Sequence, residues 1–344
     1  MRFSLRSLTV AVSLSAALLA GSTLSAQSAP KVIASIVPVH ALVAGVMDGV
    51  AEPELLLSGQ TSEHQASYSP QQIKALSEAD LVFIIGHGLE LKLDELSGSE
   101  AVRGRSFFEL ADVEGLTKLP IRQGGAFEKH VHHEGEDHDH DEAGKKDVGL
   151  EDHDHEETGQ SEEGHDEHDH GKAAFDPHVW LDPANAQVMV AAISAQLSKV
   201  DPANAERYAV NAAALAMDLG GLTKELAKEL EPVKTAPFVV YHDAYQYFET
   251  RFGLAAAGSI SDFSGNEPSA QRLKEVRDKL KAVKAVCVFR EPQFSDKAAM
   301  TVIEGTSARD GVLDPIGSGL PPGKDAYGLL LRGLAKNLKS CLAG

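Results

Sequence analysis

Cysteine is nearly absent: Cys287 and Cys341 are the only two in 344 residues, and both fall late in the chain. In an oxidising compartment they can pair, closing a loop worth about 4 kcal/mol on the chain-entropy model; otherwise they are two buried thiols. No basic patch is present to neutralise phosphates, which disfavours nucleic-acid binding. No G-x-x-x-x-G-K-[ST] loop occurs, so the chain does not carry its own nucleotide-driven engine. Neither an H-E-x-x-H sequence nor a serine-nucleophile motif occurs, which leaves a hydrolase without its usual signature. Beyond the N-terminus no apolar run is long enough to span a bilayer.

What is present begins with that N-terminus. Arg2 and Arg6 precede an apolar stretch from Leu8 to Ala20, and small residues follow through Ala26. This is the layout of a secretory leader, expected to span residues 1–26 and to be cleaved near Ala26. The run is short for a transmembrane anchor, and no cysteine near the cleavage point offers a lipid attachment site. An exported, periplasmic protein is therefore expected.

The formal charge of −19 is local. Residues 130–172 hold 17 Asp or Glu against 3 Lys and so carry −14 of it, leaving a mildly acidic body. The wider stretch 123–172 has almost no large apolar residues. It repeats a small unit at Glu136–Glu142, Glu151–Glu157 and Asp166–His170. Such a segment cannot offset its ordering entropy by burial and is expected to be disordered without ligand.

On either side the pattern is α/β. Lys31–Ile36, Glu54–Leu57 and Leu81–Ile85 read as strands, and Ser69-Pro-Gln-Gln72 opens a helix with a capping box. Asp201-Pro202 starts a long helix, about 40 Å in length, with Asp201 expected as N-cap and Gly220-Gly221 as a weak point. A second series follows. Strands are predicted at Phe238–Tyr241, Ala255–Ile260, Ala285–Phe289 and Val312–Leu313. Helices are predicted around Ala244–Phe252, Ser269–Val283, Asp296–Ser307 and Ala326–Cys341. Alternation of this kind implies parallel sheets with helices on their faces. The expectation is two (β/α) lobes, residues 27–200 and 232–344, joined by a linker helix at 201–231.

Outside the acidic segment there are five histidines: His40, His64, His87, His178 and His242. His64, His178 and His242 lie in connections around strands, where α/β lobes place ligands. Neutral imidazoles suit Zn²⁺, and three of them with one further donor make a tetrahedral site. Each alone reads more readily as a satisfied polar or core histidine; their grouping at strand ends in an exported, histidine-rich chain favours ligation. His40, at a helix start, and His87, at a strand end, are weaker candidates. The remaining ten, His130, His132, His133, His138, His140, His153, His155, His165, His168 and His170, form an accessory metal-binding loop. It reads as a sponge or sensor for zinc, or as a solubilising insertion with incidental affinity.

Several stretches carry a family resemblance. They are Ser62-Glu-His64 ahead of Ser69-Pro70, Asp176-Pro-His-Val-Trp-Leu-Asp-Pro183, and Val240-Tyr-His-Asp-Ala-Tyr245. Pro268-Ser-Ala-Gln-Arg272, Phe289-Arg-Glu-Pro-Gln-Phe294 and Leu313-Asp-Pro315 complete the set. Across essentially the whole mature chain the sequence resembles the zinc-specific periplasmic receptors of bacterial ABC zinc importers, the ZnuA type within the metal-receptor cluster of solute-binding proteins. The D-P-H-x-W-L-D-P segment and the acidic insertion before it are the specific signals.

The resemblance implies two lobes bridged by a rigid helix, with a metal in the cleft between them. It implies ligation by His64, His178 and His242, and it implies a Cys287–Cys341 disulfide; coordination by those thiols would need them reduced and deprotonated. Glutamate is frequent at the third ligand position of manganese and iron relatives, so His242 favours zinc. The fourth ligand is left among Glu63, Asp314 and water, with Glu63 first. Implied partners are a membrane permease and a cytoplasmic ATPase, with the receptor itself a monomer. The alternatives are a manganese or iron receptor of the same architecture, a periplasmic zinc hydrolase and a transporter-independent metal buffer.

Overall fold

The computed structural model describes residues 29–122, Phe127 and residues 175–344. The expected leader and the accessory histidine loop lie outside the described residues.

The first lobe is built on β1 (Val32–Ala34), α1 (Val37–Val46), β2 (Glu54–Leu55), α2 (Pro70–Glu78), β3 (Leu81–Ile84), α3 (Leu91–Ser97) and β4 (Phe107–Glu109). Its strands pair in parallel in the order β2-β1-β3-β4. β1 and β3 are buried at every position because helices cover both faces of the central strands. α1 has Pro38 in its first turn, where a missing N–H costs nothing, and nine of its ten residues are buried. The capping box at α2 forms as expected: Ser69 Oγ accepts from Gln72 N at 3.3 Å, and Gln72 Oε1 accepts from Ser69 N at 2.8 Å.

After the acidic segment come α4 (Pro183–Val200) and α5 (Ala205–Leu230). The second lobe follows with β5 (Phe238–Val240), α6 (Gln246–Phe252), β6 (Ala256–Ser259), α7 (Ala270–Val283), β7 (Cys287–Arg290), α8 (Asp296–Ile303), β8 (Arg309–Val312) and α9 (Ala326–Leu342). Its sheet is also parallel and has the equivalent order, β6-β5-β7-β8. Cys287 of β7 and Cys341 of α9 form a disulfide with Cα atoms 6.2 Å apart, tying the last helix to its sheet.

Several elements differ from the sequence expectation. α3, β4 and α4 were not anticipated; α4 is rich in alanine and short polar side chains, which blurs its amphipathic contrast. The last strand is Arg309–Val312 rather than Val312–Leu313. Asp201 does not N-cap the long helix through the backbone. It ends α4, and its carboxylate accepts from Tyr208 Oη and Asn204 Nδ2, both at 2.7 Å. The helix itself runs unbroken through Gly220-Gly221, so these glycines do not interrupt it.

One buried cluster runs through both lobes, from Val32 in β1 by way of α4 and α5 to Leu342 in α9. The outer faces of the two sheets have smaller clusters of their own. Leu219, Leu222, Leu226 and Leu230 of α5 lie in the shared cluster at helical spacing. At 26 residues this helix is about 39 Å long, and it packs against α1 and α4 as well as α9. A continuous core of this kind resists large hinge motion between the lobes. Among the described residues, no helix is long and apolar enough to cross a membrane.

Candidate metal centre

In a parallel sheet of this order, the crevice beyond the carboxyl ends of the two central strands is where ligands bind. In the second sheet those strands are β5 and β7. The chain leaving β5 carries His242, and the chain leaving β7 carries Glu291. Their register brings them together: His242 Nδ1 donates to Glu291 at 2.7–2.8 Å, and the His242 backbone N–H donates to the same carboxylate at 3.3 Å. The corresponding crevice of the first sheet holds Ser35 and Glu90 instead, with Ser35 Oγ donating to Glu90 at 2.5 Å.

His178 enters from the Asp176–Pro183 segment, whose spacing has a physical account residue by residue. Asp176 accepts from the His178 backbone N–H at 3.0 Å and from its Nδ1 at 2.7 Å, fixing the ring. The Trp180 indole donates to Pro315 O at 2.8 Å, anchoring the segment to the second lobe. Asp182 caps α4 by accepting from Ala184 N at 2.8 Å, and it pairs with Arg251 through two contacts of 2.6 Å. Pro183 occupies the first turn of α4.

His64 comes from the connection between β2 and α2, beside Glu63. The three imidazoles converge. His178 Nε2 lies 3.3 Å from His64 Nε2 and 3.4 Å from His242 Nε2. Glu63 Oε1 lies 3.9 Å from His64 Nε2 and has no hydrogen-bond partner. Donor atoms of Glu63, His64, His178 and His242 all fall within 4.8 Å of one another, and all four residues are buried. A tetrahedral Zn²⁺ with bonds of about 2.0–2.1 Å places its donors about 3.3–3.4 Å apart. The His178 separations have that length, so the residues fit the ion with little rearrangement.

Tautomers agree with this reading. Because Nδ1 of His178 and of His242 each face a carboxylate, the Nε2 atoms are the ones directed at the common point. Burial, reinforced by the two neighbouring rings, keeps His64 well below the usual histidine range. Burial, with His242 nearby, does the same for His178. Burial also acts to lower His242, but the charge and hydrogen bond of Glu291, with Glu63 beyond, outweigh it and raise this group to about 9. Burial pushes Glu63 up to about 7, against the pull of His242.

Apolar rings close the pocket. Phe263 sits edge-on to His64 at 6.2 Å, Phe294 to His242 at 5.4 Å, and Trp180 is tilted against His178 at 5.2 Å. Gly265, at φ +69°, makes room for one of them, since a Cβ there would meet the Phe294 ring at 2.3 Å.

Asp314 stands outside this group. Its two oxygens accept five hydrogen bonds, from Gln293 Nε2, the Ile316, Gly317 and Ser318 backbone N–H groups and Ser318 Oγ. These organise the turn after β8. His40 is also elsewhere, with Nε2 bonded to Pro53 O at 3.0 Å. His87 lies beyond β3 and is not among the cleft residues. The accessory histidines lie outside the described residues. Sequence reasoning assigned no role to Asp176 or Glu291, although both stand inside the motifs that carried the resemblance.

The lobes are clasped beside the pocket. Arg122, near the start of the acidic segment, donates to Asp243 and to Glu249 at 2.9–3.0 Å. Tyr247 Oη donates to Asp176 O at 2.7 Å and accepts from Leu119 N at 3.0 Å.

Two parallel-sheet lobes with a buried, polydentate pocket between them define a solute-binding receptor of the metal-binding kind. Residues 32–341 match the model of the family described as ZnuA, zinc-uptake complex component A, periplasmic, and the chain belongs to that family. High-affinity zinc uptake system proteins ZnuA of Brucella suis and Paracoccus denitrificans are similar to it. They are 44% identical, with 91% of each chain covered, and 40% identical, with 91% of this chain and 92% of the relative covered. A crystal structure of ZnuA shares the fold at a TM-score of 0.69 and 24% identity, covering 91% of this chain and 99% of that one. A zinc-bound ZnuA with residues 138–173 deleted superposes at 0.67, also at 24% identity, covering 91% of this chain and 98% of that one.

Proposed function

We propose that this chain is a periplasmic receptor that captures Zn²⁺ through Nε2 of His64, His178 and His242 with Glu63 as fourth ligand, and delivers it to an ABC permease driven by a cytoplasmic ATPase. The observation that carries this reading is the approach of His178 Nε2 to the Nε2 atoms of His64 and His242, at 3.3 and 3.4 Å, which is the separation of donors around a tetrahedral zinc. Three nitrogen donors and one carboxylate suit zinc better than manganese, a harder ion that favours oxygen. A fourth protein ligand completes the coordination sphere. A catalytic zinc keeps one position open for water, so the closed set favours a carrier over a hydrolase.

Asp176 and Glu291 act in this reading as positioning residues, holding two of the rings in the ligating tautomer. The histidine-rich segment gathers ions ahead of the cleft in this reading. The test of the whole is competition with a chromophoric chelator, comparing the mature chain with its His64→Ala, His178→Ala and His242→Ala variants. One tight site lost in each variant supports the proposal; unchanged tight binding in all three overturns it. For the segment, zinc uptake under scarcity is compared with and without residues 130–172, and equal uptake would remove its proposed role.

A further inference from the structure

A second group of metal-ligating side chains lies at the carboxyl ends of β3 and β4, apart from the cleft pocket. We infer that His87, Glu109 and Asp112 form a second, more open site for a divalent cation of the zinc type. The inference stands on its own residues and does not depend on the cleft assignment.

One donor atom from each of the three residues lies within 4.8 Å of the other two. His87 is held in an unusual backbone conformation to achieve this. It has φ +55°, between Gly86 at +80° and Gly88 at +77°, and is one of two non-glycine residues at positive φ among the described residues. That conformation is disfavoured for a residue with a Cβ. It directs Nε2 to Asp112 Oδ1 at 2.5 Å, and the ring lies against Phe175 at 4.7 Å between centroids. Glu109 reaches the same point from the end of β4, across Gly86. A Cβ on Gly86 would fall 2.3 Å from Glu109 Oε2, so the glycine is required by this approach as well as by its φ.

The donor set is one imidazole nitrogen and two carboxylates, a combination that takes zinc and its first-row neighbours. Two carboxylates this close repel each other, and a single imidazole offsets at most one of them; a divalent ion offsets both. Tetrahedral coordination asks for donors about 3.3 Å apart, so Asp112 would withdraw by somewhat less than 1 Å from His87. Its side chain is 61% exposed and has room to do so. The His87 side chain is 27% exposed, which leaves remaining coordination positions for water or for another donor. The location adds to the case. Phe175, which packs on His87, is the first described residue after the acidic, histidine-rich stretch. An ion here would sit beside Phe175, next in the chain to that stretch.

The experiment uses the full mature chain. Crystals grown with three equivalents of ZnCl₂ are measured for anomalous scattering at the zinc edge, and bound zinc per chain is counted after equilibrium dialysis for the wild type, Asp112→Asn and His87→Asn. Asparagine tolerates positive φ, and Asp112 is exposed, so both variants keep the fold. The inference expects an anomalous peak among His87, Glu109 and Asp112, and one zinc fewer per chain in each variant. Absence of the peak overturns it, whatever the count. A peak with an unchanged count means binding at crystal concentration only, and overturns it equally.

Discussion

Arg122→Met removes the cation that joins the two lobes while keeping an apolar stem over the Phe127 ring, on which the guanidinium now lies. Its partners, Asp243 and Glu249, have side chains only 4% and 5% exposed, and Arg122 itself is 19% exposed, so the cluster is not a surface pair. Removing one partner of a buried ion pair costs about 3–5 kcal/mol, because the remaining charge is left without compensation. For a protein of this size that is a fall in Tm of order 10 °C. The loss should also depend on pH. Burial, opposed by Arg122, holds Asp243 at about 6 in the folded protein, above the roughly 3.9 of an unfolded aspartate. The folded state therefore keeps this proton more tightly, and ionising Asp243 subtracts stability as pH rises from about 4 to about 6. Without Arg122 the folded value moves higher still, so the gap between variant and wild type is widest above pH 7 and narrows on acidification. Urea denaturation at pH 8, 7, 6 and 5 measures it directly. A gap below about 1 kcal/mol, or one that is constant over that range, would refute the reasoning.

Zinc binding near pH 7.5 should release about one proton, because His242 is held at about 9 and must lose its proton to ligate. Calorimetry in buffers of different ionisation enthalpy counts it, and apparent affinity should fall roughly tenfold per unit as pH drops from 9 to 7, more steeply below 7 as Glu63 gains a proton. Glu291→Gln should weaken zinc binding about 10–100-fold while leaving the stoichiometry of the cleft at one, and should reduce the proton release. Replacing Cys287 and Cys341 together by serine should cost about 4 kcal/mol for a bridge spanning 54 residues, read by denaturation of the metal-free protein.

Much of this was legible in the chain before its structure. His64 and His242 sit in connections that follow strands, His178 stands in the Asp176–Pro183 segment that leads into α4, and the α2 capping box announces itself in four residues. What was not legible depends on pairing across the sheet. Glu291 is 49 positions from His242, and only the parallel register of β5 with β7 brings them together. Arg122 and Asp243 are 121 apart and meet only because the lobes close on each other. Glu63 and Asp314 look alike in sequence, each an acid in a loop; what separates them is their surroundings, a buried oxygen without a partner in one and five donors in the other. α4 was hidden by its own composition, since alanine-rich helices show little contrast between faces.

The most direct test is a zinc competition titration of the mature chain beside Glu63→Gln and Asp314→Asn, with His178→Ala as the reference for a lost ligand. The account predicts that Glu63→Gln weakens the tight site severely, as His178→Ala does, and that Asp314→Asn changes zinc affinity little. Tight binding preserved in Glu63→Gln and lost in Asp314→Asn would contradict it.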